Sequence, residues 1–78
     1  MTLRNLEVVV LDVDQPAYGL KRGDLGTVVE VYGPDALEVE FVRASGRTQA
    51  LVTLPPSAMR EVGDDDLVAV RPATSRYV

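Results

Sequence analysis

Gly19-Leu20-Lys21-Arg22-Gly23-Asp24-Leu25-Gly26-Thr27-Val28-Val29-Glu30-Val31 joins a glycine-punctuated basic turn to a β-branched run, and Gly33-Pro34-Asp35 closes that run. The three glycines Gly19, Gly23 and Gly26 mark points where the chain needs positive φ or close backbone approach. The β-branched residues after them want a pleated, half-buried surface. Val28, Val29 and Val31 do not alternate strictly, which predicts a bulge within the strand Thr27 to Tyr32. Turns and strands alternated this tightly predict a small, strongly bent β-barrel, a fold that more often binds than catalyses.

Upstream, Leu6-Glu7-Val8-Val9-Val10-Leu11-Asp12 reads as a first strand whose apolar centre is covered on both faces. A polar loop follows, with Pro16 and Gly19 as breakers. Downstream, Leu37-Glu38-Val39-Glu40-Phe41-Val42 has the cleanest period of two in the chain. It puts Leu37, Val39 and Phe41 toward a core and Glu38 and Glu40 toward solvent. Arg43 to Arg47 is a turn, Thr48 to Leu54 a further strand, and Pro55-Pro56 must leave the sheet because proline cannot donate to a ladder. A single 3₁₀ turn over Pro56 to Met59 and a last short strand over Met59 to Val62 complete the pattern. The expected architecture is all-β: an SH3-like barrel of about five antiparallel strands, with a 3₁₀ turn before the last. An OB-fold would want longer loops and more residues.

Residues 1–62 form the expected barrel domain, and residues 63–78 an acidic break and tail. Leu67-Val68-Ala69-Val70 is a short apolar run inside that tail. It reads either as part of a frayed terminus or as an extra edge strand, in this molecule or a neighbouring one, which would make a homodimer.

Composition narrows the chemistry. Seventy-eight residues suit one domain with a modest core and a stability of roughly 3–5 kcal/mol. The chain has neither cysteine nor histidine, which removes disulfides, thiolate metal sites and the commonest general base. An enzyme is therefore not expected, nor is a cofactor, and the missing cysteine fits a cytoplasmic location. Met1 to Asn5 lacks the long apolar core of a secretory signal, and no apolar run approaches the roughly 20 residues that span a bilayer. The net charge of −4 disfavours a broad footprint for nucleic acid and suits a meeting with a basic protein surface.

Taken in order, Leu6 to Leu11, Gly19 to Val31, Glu38 to Phe41, Gly46-Arg47-Thr48 and Leu51-Val52-Thr53-Leu54-Pro55 closely resemble the bacterial family catalogued as domain of unknown function 4926. The resemblance covers about residues 6 to 62. It implies a compact SH3-like barrel standing alone as a whole protein, and genes lying beside a partner gene in pairs that resemble toxin–antitoxin modules. It supplies no catalytic residues. Pro16-Ala17-Tyr18 departs from the more acidic loop associated with the family, and the segment from Gly63 onward lies outside it. A fainter similarity of Gly23 to Val31 to the KOW motif of ribosomal and transcription-elongation proteins is a signal of fold first.

Three groups of side chains are candidates for binding. Glu38 and Glu40, with Glu30 on the neighbouring strand, would form an acidic sheet face, either merely solvated or facing a basic partner. Lys21 and Arg22, with Arg43 and Arg47, would either solvate their turns or contact phosphates. Tyr18 and Tyr32 could line a groove, although the chain lacks tryptophan. Asp12, Asp14 and Asp24 lack the spacing of a calcium loop and read as turn-forming residues. The expected function is a non-enzymatic protein–protein interaction module, an accessory or antitoxin-like partner of a toxin from a neighbouring gene. The alternative is a KOW-like barrel that binds nucleic acid or the ribosome.

Overall fold

A computed structural model describes residues 3–73. Its strands are β1 (Val8–Leu11), β2 (Leu25–Gly33), β3 (Ala36–Val42), β4 (Thr48–Leu54) and β5 (Met59–Glu61). Two 3₁₀ turns, Pro16–Tyr18 and Pro56–Ala58, interrupt them. All strand pairs are antiparallel and form one sheet in the order β4-β3-β2-β1-β5. The expected all-β architecture is thus present, including the 3₁₀ turn that delivers β5 to the far side of β1. The sheet is open, with β4 and β5 as its edges.

The glycines behave as their spacing predicts. Gly19 ends the first 3₁₀ turn with φ of 69°, and Gly23 turns the chain into β2 with φ of 99°. Gly26 serves close approach instead: a Cβ there would fall 2.6 Å from Val39 Cγ1 and 2.8 Å from Phe41 Cε2. The ladder between β2 and β3 shifts register between Val28 and Glu30, so a bulge lies where the valines fail to alternate. That bulge lets Val28 point into the core while Glu30 faces out, opposite Glu38.

The core draws on every strand. Val9, Leu11, Val28, Leu37, Val39, Phe41, Val52, Leu54 and Met59 are all buried, and Leu20, Ala58 and Leu3 seal its ends. The period of two in β3 is strict through Phe41, with Leu37, Val39 and Phe41 inside and Glu38 and Glu40 half-buried on the outer face.

Several boundaries and one segment differ from the sequence reading. β1 begins at Val8, because Leu6 takes φ of 68° in a turn where its N–H donates to the Val28 carbonyl. β2 starts at Leu25, two residues earlier than expected, since its first residues pair with β1. β5 ends at Glu61, one residue earlier than expected. Leu67 to Val70 is not a strand of this molecule: Leu67 and Val70 are about fully exposed, at 94% and 95%. Ion pairs flank the segment on both sides. Arg60 grips Asp66 with two hydrogen bonds of 2.9 Å, and Arg71 reaches Asp24. The tail beyond residue 73 lies outside the described residues, as do Met1 and Thr2.

Candidate functional site

The outer face of β2, β3 and β4 gathers the predicted acidic residues. Glu30 and Glu38 are cross-strand partners, and Glu40 sits two residues along β3, opposite Thr27 on one side and Leu51 on the other. Among the described residues none of the three glutamates has a cation within ion-pair distance. Their contacts are to hydroxyl groups: Tyr32 Oη donates to Glu38, and Thr48 Oγ1 donates to Glu40 over 2.6 Å. The Glu38 carboxylate accepting that bond raises the Tyr32 phenol above its ordinary value, with the Glu30 charge adding to the effect. Exposed Tyr32 and Leu51 supply apolar area around the carboxylates. Chemically this face offers negative charge, hydrogen-bond acceptors and an amphipathic ring.

The basic turn has the opposite character, because aspartates surround it. Asp24 accepts from the Lys21 N–H and Asp14 from the Arg22 N–H, each over 2.8 Å. Asp12 lies 3.5 Å from Arg22 Nε. The three aspartates are therefore turn-forming, as their spacing suggests, and no group of carboxylates able to hold a metal occurs among the described residues. Arg43 donates to Gln49, whose amide in turn donates to the Tyr18 carbonyl. Lys21, Arg22, Arg43 and Arg47 therefore sit on separately stitched turns.

Tyr18 and Tyr32 do not share a groove. Tyr18 is tied to Gln49 near the start of β4, whereas Tyr32 lies beside the β2–β3 turn, next to the Val31–Leu37 pair and hence toward the Leu54 end of β4. They occupy opposite ends of β3. The register of the strands therefore does not bring the two tyrosines together.

A groove not foreseen from the sequence lies at the Tyr18 end. It has a volume of about 700 Å³ between the Gly19–Leu25 turn, the end of β3 and the segment Ala69 to Ala73. Leu20, Leu25, Phe41 and Val42 give it apolar walls, with Arg43 and Gln49 at its polar side. Arg71 straps the C-terminal segment across it. The Nε of Arg71 donates to Asp24 Oδ1 over 2.9 Å, and Nη2 reaches Asp24 Oδ2 at 2.5 Å and the Gly19 carbonyl at 3.2 Å. Desolvation acts to raise the Asp24 carboxyl, but hydrogen bonds from Arg71 and the Lys21 N–H outweigh it and hold the group below its ordinary value. Nothing local in the sequence marks Arg71, because its partner lies 47 residues away.

No helix among the described residues is long and apolar enough to cross a membrane. No curated protein and no solved structure matches the chain. The fold and the order of its motifs do have a family counterpart: the family described as Domain of unknown function (DUF4926) matches residues 5–61, from the turn before β1 to the end of β5. The chain belongs to that family.

Proposed function

We propose that this protein is a non-enzymatic protein-binding module whose outer β2–β3–β4 face docks on a basic surface of a partner protein. The observation that carries the reading is the row Glu30, Glu38 and Glu40, which has no cationic neighbour in the described chain. Two carboxylates placed directly opposite each other weaken a sheet slightly. A partner that brings lysine or arginine to the face would reverse that cost and speed encounter by electrostatic steering. Tyr32 and Leu51 beside the glutamates supply contact area that excludes water from such pairs. Nucleic-acid binding through Lys21, Arg22, Arg43 and Arg47 draws less support, because Arg22 faces Asp12, Arg43 is tied to Gln49, and the net charge of the chain is −4.

The role in the cell would be that of an accessory or antitoxin-like protein, and the product of the neighbouring gene is the first partner to test. Calorimetric titration of that product with the wild-type chain and with the Glu38→Lys/Glu40→Lys variant decides the matter. The expected result is a tenfold or greater loss of affinity with slower association, together with a marked salt dependence of the wild-type complex. Binding that is equally tight in both chains sinks the acidic-face reading.

A further inference from the structure

The matched family domain ends at residue 61, yet Arg71, ten residues beyond it, reaches back to that domain. The acceptors that hold it are set by the fold. Asp24 is fixed by accepting the Lys21 N–H, and the Gly19 carbonyl is presented by the αL turn that closes the first 3₁₀ turn. The Asp24 side chain is only 18% exposed, so its charge lies in a partly dry setting. A carboxylate accepting from both Nε and Nη2, with a carbonyl beside it, matches the planar fork of a guanidinium and not the point charge of an ammonium. Beside this receptor lies the apolar groove along Leu20, Leu25, Phe41 and Val42, bounded on its other side by residues 69–73.

We infer that Asp24 and the Gly19 carbonyl, with the adjoining groove, form a docking site for an arginine-bearing, apolar extended segment of a partner protein, and that the chain's own Arg71 holds this site closed in cis. Charge complementarity names the occupant: one arginine for the receptor, as Arg71 demonstrates, with apolar residues beside it to cover the groove walls that the exposed Leu67, Val68 and Val70 leave uncovered. Tethering keeps the tail at a high effective concentration, so a partner segment must displace it. This site is separate from the glutamate face, and neither reading needs the other.

The probe is a fluorescent peptide of the chain's own residues 67–73, titrated into full-length protein and followed by anisotropy. The Arg71→Ala chain should bind it at least tenfold more tightly than the wild type, because its receptor is vacant. Replacing the peptide's arginine with lysine or alanine should weaken binding to Arg71→Ala by tenfold or more, an arm that leaves the protein untouched. Adding Asp24→Asn to Arg71→Ala should abolish binding, with dispersed amide resonances verifying the fold. Equal affinity of the wild-type and Arg71→Ala chains overturns the inference, and so does indifference to the peptide's arginine. If the double variant keeps its fold and still binds, the receptor is not Asp24. Glu38→Lys/Glu40→Lys should leave peptide binding unchanged, so the two sites succeed or fail separately.

Discussion

The two ends of β3 treat charge in opposite ways. Around Glu30, Glu38 and Glu40 carboxylates stand side by side with only hydroxyl partners, whereas Arg22 and Arg71 each lie against an aspartate. The first arrangement leaves electrostatic energy unspent within the chain and available to a partner. The second consumes it internally, locking a turn and a tail. A sequence scan for charge would rank the basic turn as highly as the acidic strand. Pairing in space is what separates them.

The strongest way to break this contrast is to remove what the two regions share. Phe41 is buried between Glu40 and Val42, it closes over Gly26, and it walls the groove. Phe41→Ala should cost about 3–5 kcal/mol in urea or thermal unfolding, comparable to the whole stability of so small a domain. Both regions should lose order together. A loss below about 1 kcal/mol would mean that the ring does not join them.

Acid should separate the regions. Asp24 lies below its ordinary value of 3.8, and Asp66, gripped by Arg60 and by the Gly63 N–H, is lowered to about 2. A folded-state value below the unfolded one means that the folded chain binds fewer protons there. The stabilisation is therefore complete above the unfolded value and is lost as pH falls through the folded one. The Arg60–Asp66 grip should loosen as pH falls toward about 2, and the Arg71–Asp24 strap as pH falls below 3.8. Amide exchange or resonance shifts of the tail, followed against those of β3, should reveal its release before the sheet unfolds. A tail that keeps its wild-type shifts in acid strong enough to protonate both carboxylates, with the sheet still folded, would show that the ion pairs do not hold it.

The smallest expected effect sharpens the contrast in the other direction. Glu30→Thr removes one of two facing carboxylates and inserts a good strand former, so it should stabilise the fold by about 0.2–1 kcal/mol. The same change should weaken the partner complex. A variant less stable than the wild type would mean that the facing carboxylates carry no strain.

Much of this was legible in the chain itself. Leu37 to Val42 declared its inner and outer faces because a strand repeats every two residues, and Glu38 and Glu40 fell on the outer one as expected. The irregular valines of β2 announced the bulge, and the glycines announced both turns and a close approach. The groove was not legible, nor was the distance between Tyr18 and Tyr32. Those depend on which ends of strands meet, and that follows from register and not from any local pattern.

The amino-acid sequence determined the all-β class, the hairpin pairs joined by short turns, and the acidic character of one strand face. These follow from backbone sterics and from periodicity over a few residues. Only the tertiary structure decided which charges are used up. Arg71 and Asp24 become partners because the sheet folds β2 and the tail onto one end, while Glu30, Glu38 and Glu40 lie on a face that no basic segment of the described chain reaches. Coulomb attraction acts over a few ångströms of space and is indifferent to separation along the chain.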